Sequence, residues 1–317
     1  MCPGSIRARV DSPEVIATTD YDRLTEDAAL VARTDRAVLE LDGAEAAEFL
    51  QGQVSNDIEG LEPGQGCYAT LLDHKGKLRT DLRVLRLAPD RLVVDAESAG
   101  RRALAHTFEM YSLGRQVIPR DVTDERVVLS LIGPAAHDRL EGAPGPEEHA
   151  CVEGPLGVYA ATDVGVDLIL AAEREAEVRD ALDLTEVDEE AAEVVRIERG
   201  RPRLLLDMDS STMPQEAGIN DRAVSFSKGC YVGQETVARL FYRGKPNRHL
   251  RGLRLSEAAD HGEAIMLGDK QVGTVGSSCV SPASGPIALA LLRREAEPGS
   301  EVQVNDARAR VVELPFT

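Results

Sequence analysis

The chain has 317 residues, 43% of them hydrophobic and 29% charged, which is two domains' worth of length with enough apolar material for a packed core. Lys and Arg number 36 against 55 Asp and Glu, and the resulting charge of −19 argues against a general nucleic-acid or anionic-membrane binder. Aromatics make up 3% and Trp is absent, so the core has to be built mainly from Leu, Val and Ala.

The first twenty-five residues are polar and pattern-poor and are expected to form an arm. From Arg36 the elements alternate. Val38, Leu39 and Leu41 read as a strand, and Asp42 with Glu45 three residues on resembles a capping box opening a helix that buries Ala46, Phe49 and Leu50. Residues 66–72 and 78–87 read as strands joined by the turn Asp73-His74-Lys75-Gly76, and 92–95 as a third. A helix is expected over 97–110, a strand over 127–132, and another helix opened by Gly133-Pro134. Strands over 158–161 and 166–171 precede helices over 172–182 and 188–199, the second closed by Gly200. After Gly252 the texture becomes short strands (271–275, 287–292, 302–304 and 309–314) broken by Gly, Pro and Ser, the pattern of a small β-barrel or sandwich. The class is α+β, with an arm over 1–25, an α+β region over 26–246 and an all-β domain over 247–317.

Cysteines stand at Cys2, Cys67, Cys151, Cys230 and Cys279, an odd count without CxxC spacing. That pattern encodes neither a disulfide framework nor a self-contained metal site, and it fits a reducing cytoplasm. No run approaches the ~18 apolar residues needed to span a bilayer. No catalytic triad, HExxH helix, P-loop or GxGxxG fingerprint is present.

The densest chemical signal is Lys228-Gly229-Cys230-Tyr231-Val232-Gly233-Gln234-Glu235. Two glycines around a cysteine permit a loop that presents the thiol, and Lys228 with a following helix start would favour thiolate. The bland alternative is a buried cysteine acting as a small hydrophobe. Between Arg222 and Arg254 stand Arg222, Lys228, Arg239, Arg243, Lys245, Arg248, Arg251 and Arg254 against Glu235 alone, so this segment reverses the sign of the whole molecule and can draw in an anionic ligand or partner. Glu198, in Arg196-Ile197-Glu198-Arg199-Gly200, shares an apolar helical stripe and sits in a last turn, where the helix dipole disfavours it. It reads either as the partner of Arg196 or Arg199, or as a carboxylate for a planar N–H/NH₂ edge such as a pterin's. Asn56-Asp57 reads by default as a turn.

The octapeptide resembles the K-G-C-Y-x-G-Q-E signature of the YgfZ family, folate-binding proteins tied to iron–sulfur enzymes and related to the glycine-cleavage T protein, an aminomethyltransferase. Stretches 51–57, 68–82, 196–200 and 273–291 fall in the expected order. The resemblance implies a ring of α+β subdomains around a central channel with a C-terminal β-barrel, and tetrahydrofolate or a related folate in that channel. It makes Cys230 a reactive thiol assisted by Lys228, Glu198 the pterin acceptor with Asn56, Tyr68 and Arg196 nearby, and Gly229, Tyr231, Gly233, Gln234 and Glu235 the motif around the thiol. The implied partners are iron–sulfur enzymes or their assembly factors, with no nucleic acid and no membrane. One departure counts against glycine cleavage: Thr80 occupies the first of the T protein's paired aspartates, its catalytic acid, and only Asp81 remains. Two alternatives stay open: a folate-dependent one-carbon transferase using Asp81, and a scaffold whose basic segment docks an acidic partner. The absence of Trp means that any tryptophan stacking used by relatives is replaced or lost.

Overall fold

The computed structural model describes residues 18–316, so the expected arm lies outside the described residues over 1–17. The rest of it is a helix, α1 (Thr18–Glu26), which buries Tyr21 and Leu24 in a cluster with Ala191, Val194 and Val195. The chain continues through β1 (Ala29–Arg33), β2 (Arg36–Asp42), α2 (Ala46–Gln51), β3 (Gln65–Leu72), β4 (Leu78–Ala88), β5 (Arg91–Glu97), α3 (Ser98–Tyr111), β6 (Ile118–Asp121) and β7 (Arg126–Ile132). Then come β8 (Cys151–Gly154), β9 (Gly157–Thr162), β10 (Gly165–Ala171), α4 (Glu175–Leu182), α5 (Glu189–Glu198), α6 (Asn220–Ala223) and α7 (Gln234–Arg243). The last stretch holds β11 (Arg248–Leu255), β12 (Ala264–Leu267), β13 (Lys270–Ser281), β14 (Gly285–Arg293), β15 (Glu301–Val304) and β16 (Ala307–Val312).

Two five-stranded antiparallel sheets, β3-β4-β5-β2-β6 and β1-β7-β10-β9-β8, form the α+β region, and the final six strands close into a barrel, β11-β14-β13-β12-β15-β16. Closure comes from pairing β11 with β16, Gly252 opposite Val312. The barrel leans on α5 through a cluster of Ile197, Leu250, Ile287, Leu289 and Phe316. Among the described residues no helix is long and apolar enough to cross a membrane.

Side-chain alternation in β4 decides where chemistry can occur. Leu82 and Val84 join Phe49 and Phe108 in the core beneath α2 and α3. Thr80 points the same way: it is fully buried, and a Cβ built on Gly100 of α3 would lie 2.2 Å from its hydroxyl. Asp81 and Arg83 therefore face the opposite side, toward the second sheet.

Some expected elements differ. No helix follows Gly133-Pro134; residues 133–142 form turns. Helix α2 starts after Glu45, whose side chain makes no cap bond, because β2 carries the chain as far as Asp42. The sequence reading missed β1, β6, β8, β11 and β12. In β11, Arg248, Arg251 and Arg254 interrupt the apolar run, and this masks a strand whose Leu250, Leu253 and Leu255 are buried.

Candidate functional site

A cavity of about 160 Å³ lies between the two five-stranded sheets. Tyr68 of β3 and Asp81 of β4 line it from one sheet, and Ser130 of β7 and Asp167 of β10 from the other, with His149 from the loop before β8. Its charged wall is closed on itself. Arg83 donates to both oxygens of Asp95 at 2.8 and 3.1 Å and pairs with Asp167 at 2.7 Å, while Arg36 bonds Asp95 and, at 3.2 Å, Glu97. Burial alone would raise the Asp95 pKa, but Arg83 and Arg36 outweigh it and hold the carboxyl well below the usual range.

Two polar atoms on this wall are buried and lack any partner among the described residues: Asp81 Oδ1 and His149 Nδ1. The other Asp81 oxygen accepts a 2.8 Å bond from the Tyr68 hydroxyl, which fixes the carboxyl's orientation. Burial raises the Asp81 pKa, against the opposing effect of that bond. His149 has a left-handed backbone (φ 71°), and burial, followed by the nearby Arg83, lowers its pKa to about 4, so the ring is neutral at pH 7. An unsatisfied buried polar atom costs about 1–3 kcal/mol, so these two atoms on one wall are positions that can take a further hydrogen-bond partner. Sequence reasoning kept Tyr68 and Asp81 but missed His149, Arg36, Arg83 and Asp95.

The cysteine loop docks on the tip of the β3–β4 hairpin. Gly233 has φ +87°, and a Cβ there would lie 2.5 Å from the Asp73 carbonyl oxygen, so only glycine fits. Gly229 has open space around it, so close packing explains the second motif glycine alone. Tyr231 is buried, Gln234 opens α7, and Glu235 is exposed in its first turn. Cys230 is exposed, which answers the buried-filler reading. Cys67, Cys151 and Cys279 are the contrast, since burial pushes their thiols up to about 12, 11 and 12. Cys230 does not line the Tyr68–Asp81 cavity.

Lys228 is not placed as the activator expected of it. Its ammonium donates to the carbonyls of Gln51, Val54 and Asn56 at 2.6, 2.7 and 2.8 Å, so all three N–H groups are spent stapling that loop. Asn56 is also structural: its amide nitrogen donates to the Tyr68 and Arg222 carbonyls, and its oxygen accepts from the Asp57 N–H.

Glu198 and Arg196 lie elsewhere. Glu198 is half-buried at the end of α5 and accepts from the Tyr21 hydroxyl at 3.0 Å on both oxygens and from Ser281. It lines a cavity of about 410 Å³ with Leu24, His137 and Asp163, whereas Asp81 lines the one between the sheets. Neither expected arginine pairs with it. Arg196 bonds Glu193, Asp207 and Ser277, and Arg199 lies 3.9 Å from Asp163. The sequence brought Glu198 forward for its place in a helix stripe, and Tyr21 of α1 answers that oddity.

Comparison with known proteins places the fold. The GCVT N-terminal domain model matches residues 13–153, and the glycine cleavage T-protein C-terminal barrel domain model matches residues 248–317. The chain belongs to the glycine-cleavage T-protein family. Among curated relatives, an aminomethyltransferase of Synechococcus sp. (strain WH7803) is 29% identical over 88% of this chain and 84% of its own. A tRNA-modifying protein YgfZ of Escherichia coli O157:H7 is 28% identical over 91% and 93%. The solved structure of glycine cleavage system aminomethyltransferase T from Bartonella henselae superimposes with a TM-score of 0.85 over 94% of this chain and 89% of that one, at 23% identity. Family membership thus spans two lines, one named for a transferase and the other YgfZ, and the octapeptide around Cys230 resembles the second.

Proposed function

We propose that the protein binds a reduced folate with its pterin ring in the cavity between the two sheets, and that it supports assembly or repair of iron–sulfur enzymes from the exposed Cys230 loop in a cytoplasmic setting. The observation that carries the folate half is the pair of unpartnered atoms, Asp81 Oδ1 and His149 Nδ1, on one cavity wall. A pterin presents a planar edge of adjacent N–H and NH₂ donors beside ring acceptors, which suits an oriented carboxyl and a neutral imidazole. At about 160 Å³ the cavity takes a bicyclic ring rather than a whole folate, since pockets for drug-sized ligands begin near ~300 Å³. When bound, a reduced folate supplies ring nitrogens that carry a one-carbon unit. Asp81, oriented by Tyr68, would receive the donor edge and hold or release a proton at Oδ1, and the paired arginines would keep the wall rigid.

The iron–sulfur half rests on the octapeptide and on the exposure of Cys230 where the other described cysteines are covered. Titration with tetrahydrofolate tests the ligand: Asp81→Asn and Tyr68→Phe weaken binding, while Glu198→Gln, in the cavity beside α5, leaves it unchanged. Absence of saturable binding, or binding untouched by Asp81→Asn, overturns the reading. A Cys230→Ser strain is expected to lose activity of iron–sulfur enzymes selectively.

A second reading is one-carbon transfer, and one observation favours it. The threonine that stands for the T protein's first aspartate faces α3, whereas Asp81 faces the cavity, so the missing carboxyl at position 80 does not empty the site of acid. Release of methylenetetrahydrofolate from an aminomethyl donor, abolished by Asp81→Ala, distinguishes it.

A further inference from the structure

Of the eight basic residues between Arg222 and Arg254, the structure commits five. Arg222 bonds Glu148 and covers the Tyr68 ring, and Lys228 staples carbonyls. Arg248 bonds Glu216, Arg251 bonds Glu313, and Arg254 lies over the Phe316 ring. Arg239, Arg243 and Lys245 remain. All three are exposed, and none forms a hydrogen bond or ion pair among the described residues.

An aromatic shelf stands at the same end of α7. Phe226 stacks on Phe241 with centroids 3.9 Å apart and planes 16° from parallel, and Tyr242 meets both edge-on at 6.0 and 5.1 Å. Phe241 and Tyr242 are 42% and 66% exposed, and Val232, beside Cys230, is 42% exposed. Helix α7 holds ten residues, about 15 Å, and runs from the end of the cysteine loop to Phe241 and Tyr242, while Phe226 of the shelf precedes Cys230 in the same loop. Phe226 is half-buried and packs against the cluster of Tyr231 and Val237, and the exposed Phe241 and Tyr242 near cations without partners among the described residues form an amphipathic surface.

The geometry points to the C-terminal end of α7 and the adjoining cysteine loop as a docking surface for a short acidic segment of another protein, its carboxylates on Arg239, Arg243 and Lys245, an apolar anchor on the exposed Tyr242 and Phe241 rings, and Cys230 within the footprint. Charge selects the occupant. In a molecule of −19 this patch is locally cationic, so an acidic strand is attracted here and repelled elsewhere, which fixes where it lands. Three free cations are few for RNA, whose binders commonly neutralise roughly 6–10 phosphates and would meet repulsion from the rest of this surface. A footprint of one helix end and its loop is well below the about 800 Å² per partner of stable complexes, so the contact is transient and salt-sensitive.

Fluorescence anisotropy with a labelled Glu-rich peptide carrying a Leu anchor, against a labelled single-stranded RNA, tests this on the full chain. The peptide is expected to bind, to weaken with added salt, and to lose roughly tenfold or more in affinity on Arg243→Glu with Lys245→Glu. Tyr242→Ala is expected to weaken it several-fold, and bound peptide to slow alkylation of Cys230. Thermal melts and tetrahydrofolate titration of the same variants should match wild type, which separates loss of docking from loss of fold or of the folate site. Failure of the peptide to bind, preference for the RNA, affinity unaffected by the charge reversals, or unchanged Cys230 alkylation under saturating peptide would each overturn the proposal.

Discussion

The cavity wall and the α7 face use the same residue types to opposite ends. Between the sheets, Arg36 and Arg83 are matched to Asp95, Glu97 and Asp167, and their value is positional: they fix a wall on which Asp81 and His149 keep unspent atoms. On α7, Arg239, Arg243 and Lys245 are exposed and without partners among the described residues, so they are available to something outside the chain. The cysteines divide the same way, Cys67, Cys151 and Cys279 covered and held as thiols, Cys230 open. Counting charge or thiols along the sequence therefore says little about function until partners are assigned.

The contrast can be broken from its buried side most forcefully. Asp95→Asn removes a fully buried carboxylate and leaves Arg83 and Arg36 under-compensated, and it is expected to cost about 3–5 kcal/mol in urea unfolding. Next comes pH. Burial lowers the pKa of His149 from its ordinary 6.5 to about 4 in the folded chain, so the unfolded chain takes up the proton first. The stability due to the neutral ring is complete above pH 6.5 and is lost as pH falls toward 4, by roughly 3 kcal/mol. His149→Gln should flatten that part of the curve, and identical slopes for variant and wild type would refute the assignment. Gly233→Ala is expected to destabilise by about 1–3 kcal/mol, from the left-handed backbone and the Asp73 carbonyl together, while Gly229→Ala changes the melting temperature little. On the exposed side, Arg243→Glu with Lys245→Glu should shift stability by no more than about 0.5 kcal/mol.

Much of the fold was legible because local signals agree with it. The hairpin turn at 73–76, the apolar alternation of β7 and β10, and the Gly-rich short strands after 252 each point to the element that forms. The failures were non-local. β11 was hidden by three half-buried arginines, Arg248, Arg251 and Arg254, whose place appears only once β14 and β16 flank it. The Gly133-Pro134 helix fails because Gly133 (φ +133°) sits against the Asp27 carbonyl, in a turn fixed by contacts far away in sequence. The candidate site was half visible: the octapeptide announced Cys230, but Arg36, Arg83, Asp95 and His149 are scattered over more than a hundred positions and meet only through sheet order. Charged letters inside apolar strands, Arg83 and Asp95 above all, were the available signal.

Parity in β4 has one more implication. Because neighbouring residues of a strand face opposite layers, Thr80 and Asp81 are not interchangeable entries in a two-letter word; one belongs to the helical layer and the other to the space between sheets. Shifting this strand by a single residue would carry the acid into the oily layer beneath α3 and offer the cavity a hydroxyl instead. Alignments that pair such acids by column rather than by facing will miscount which relatives have kept one.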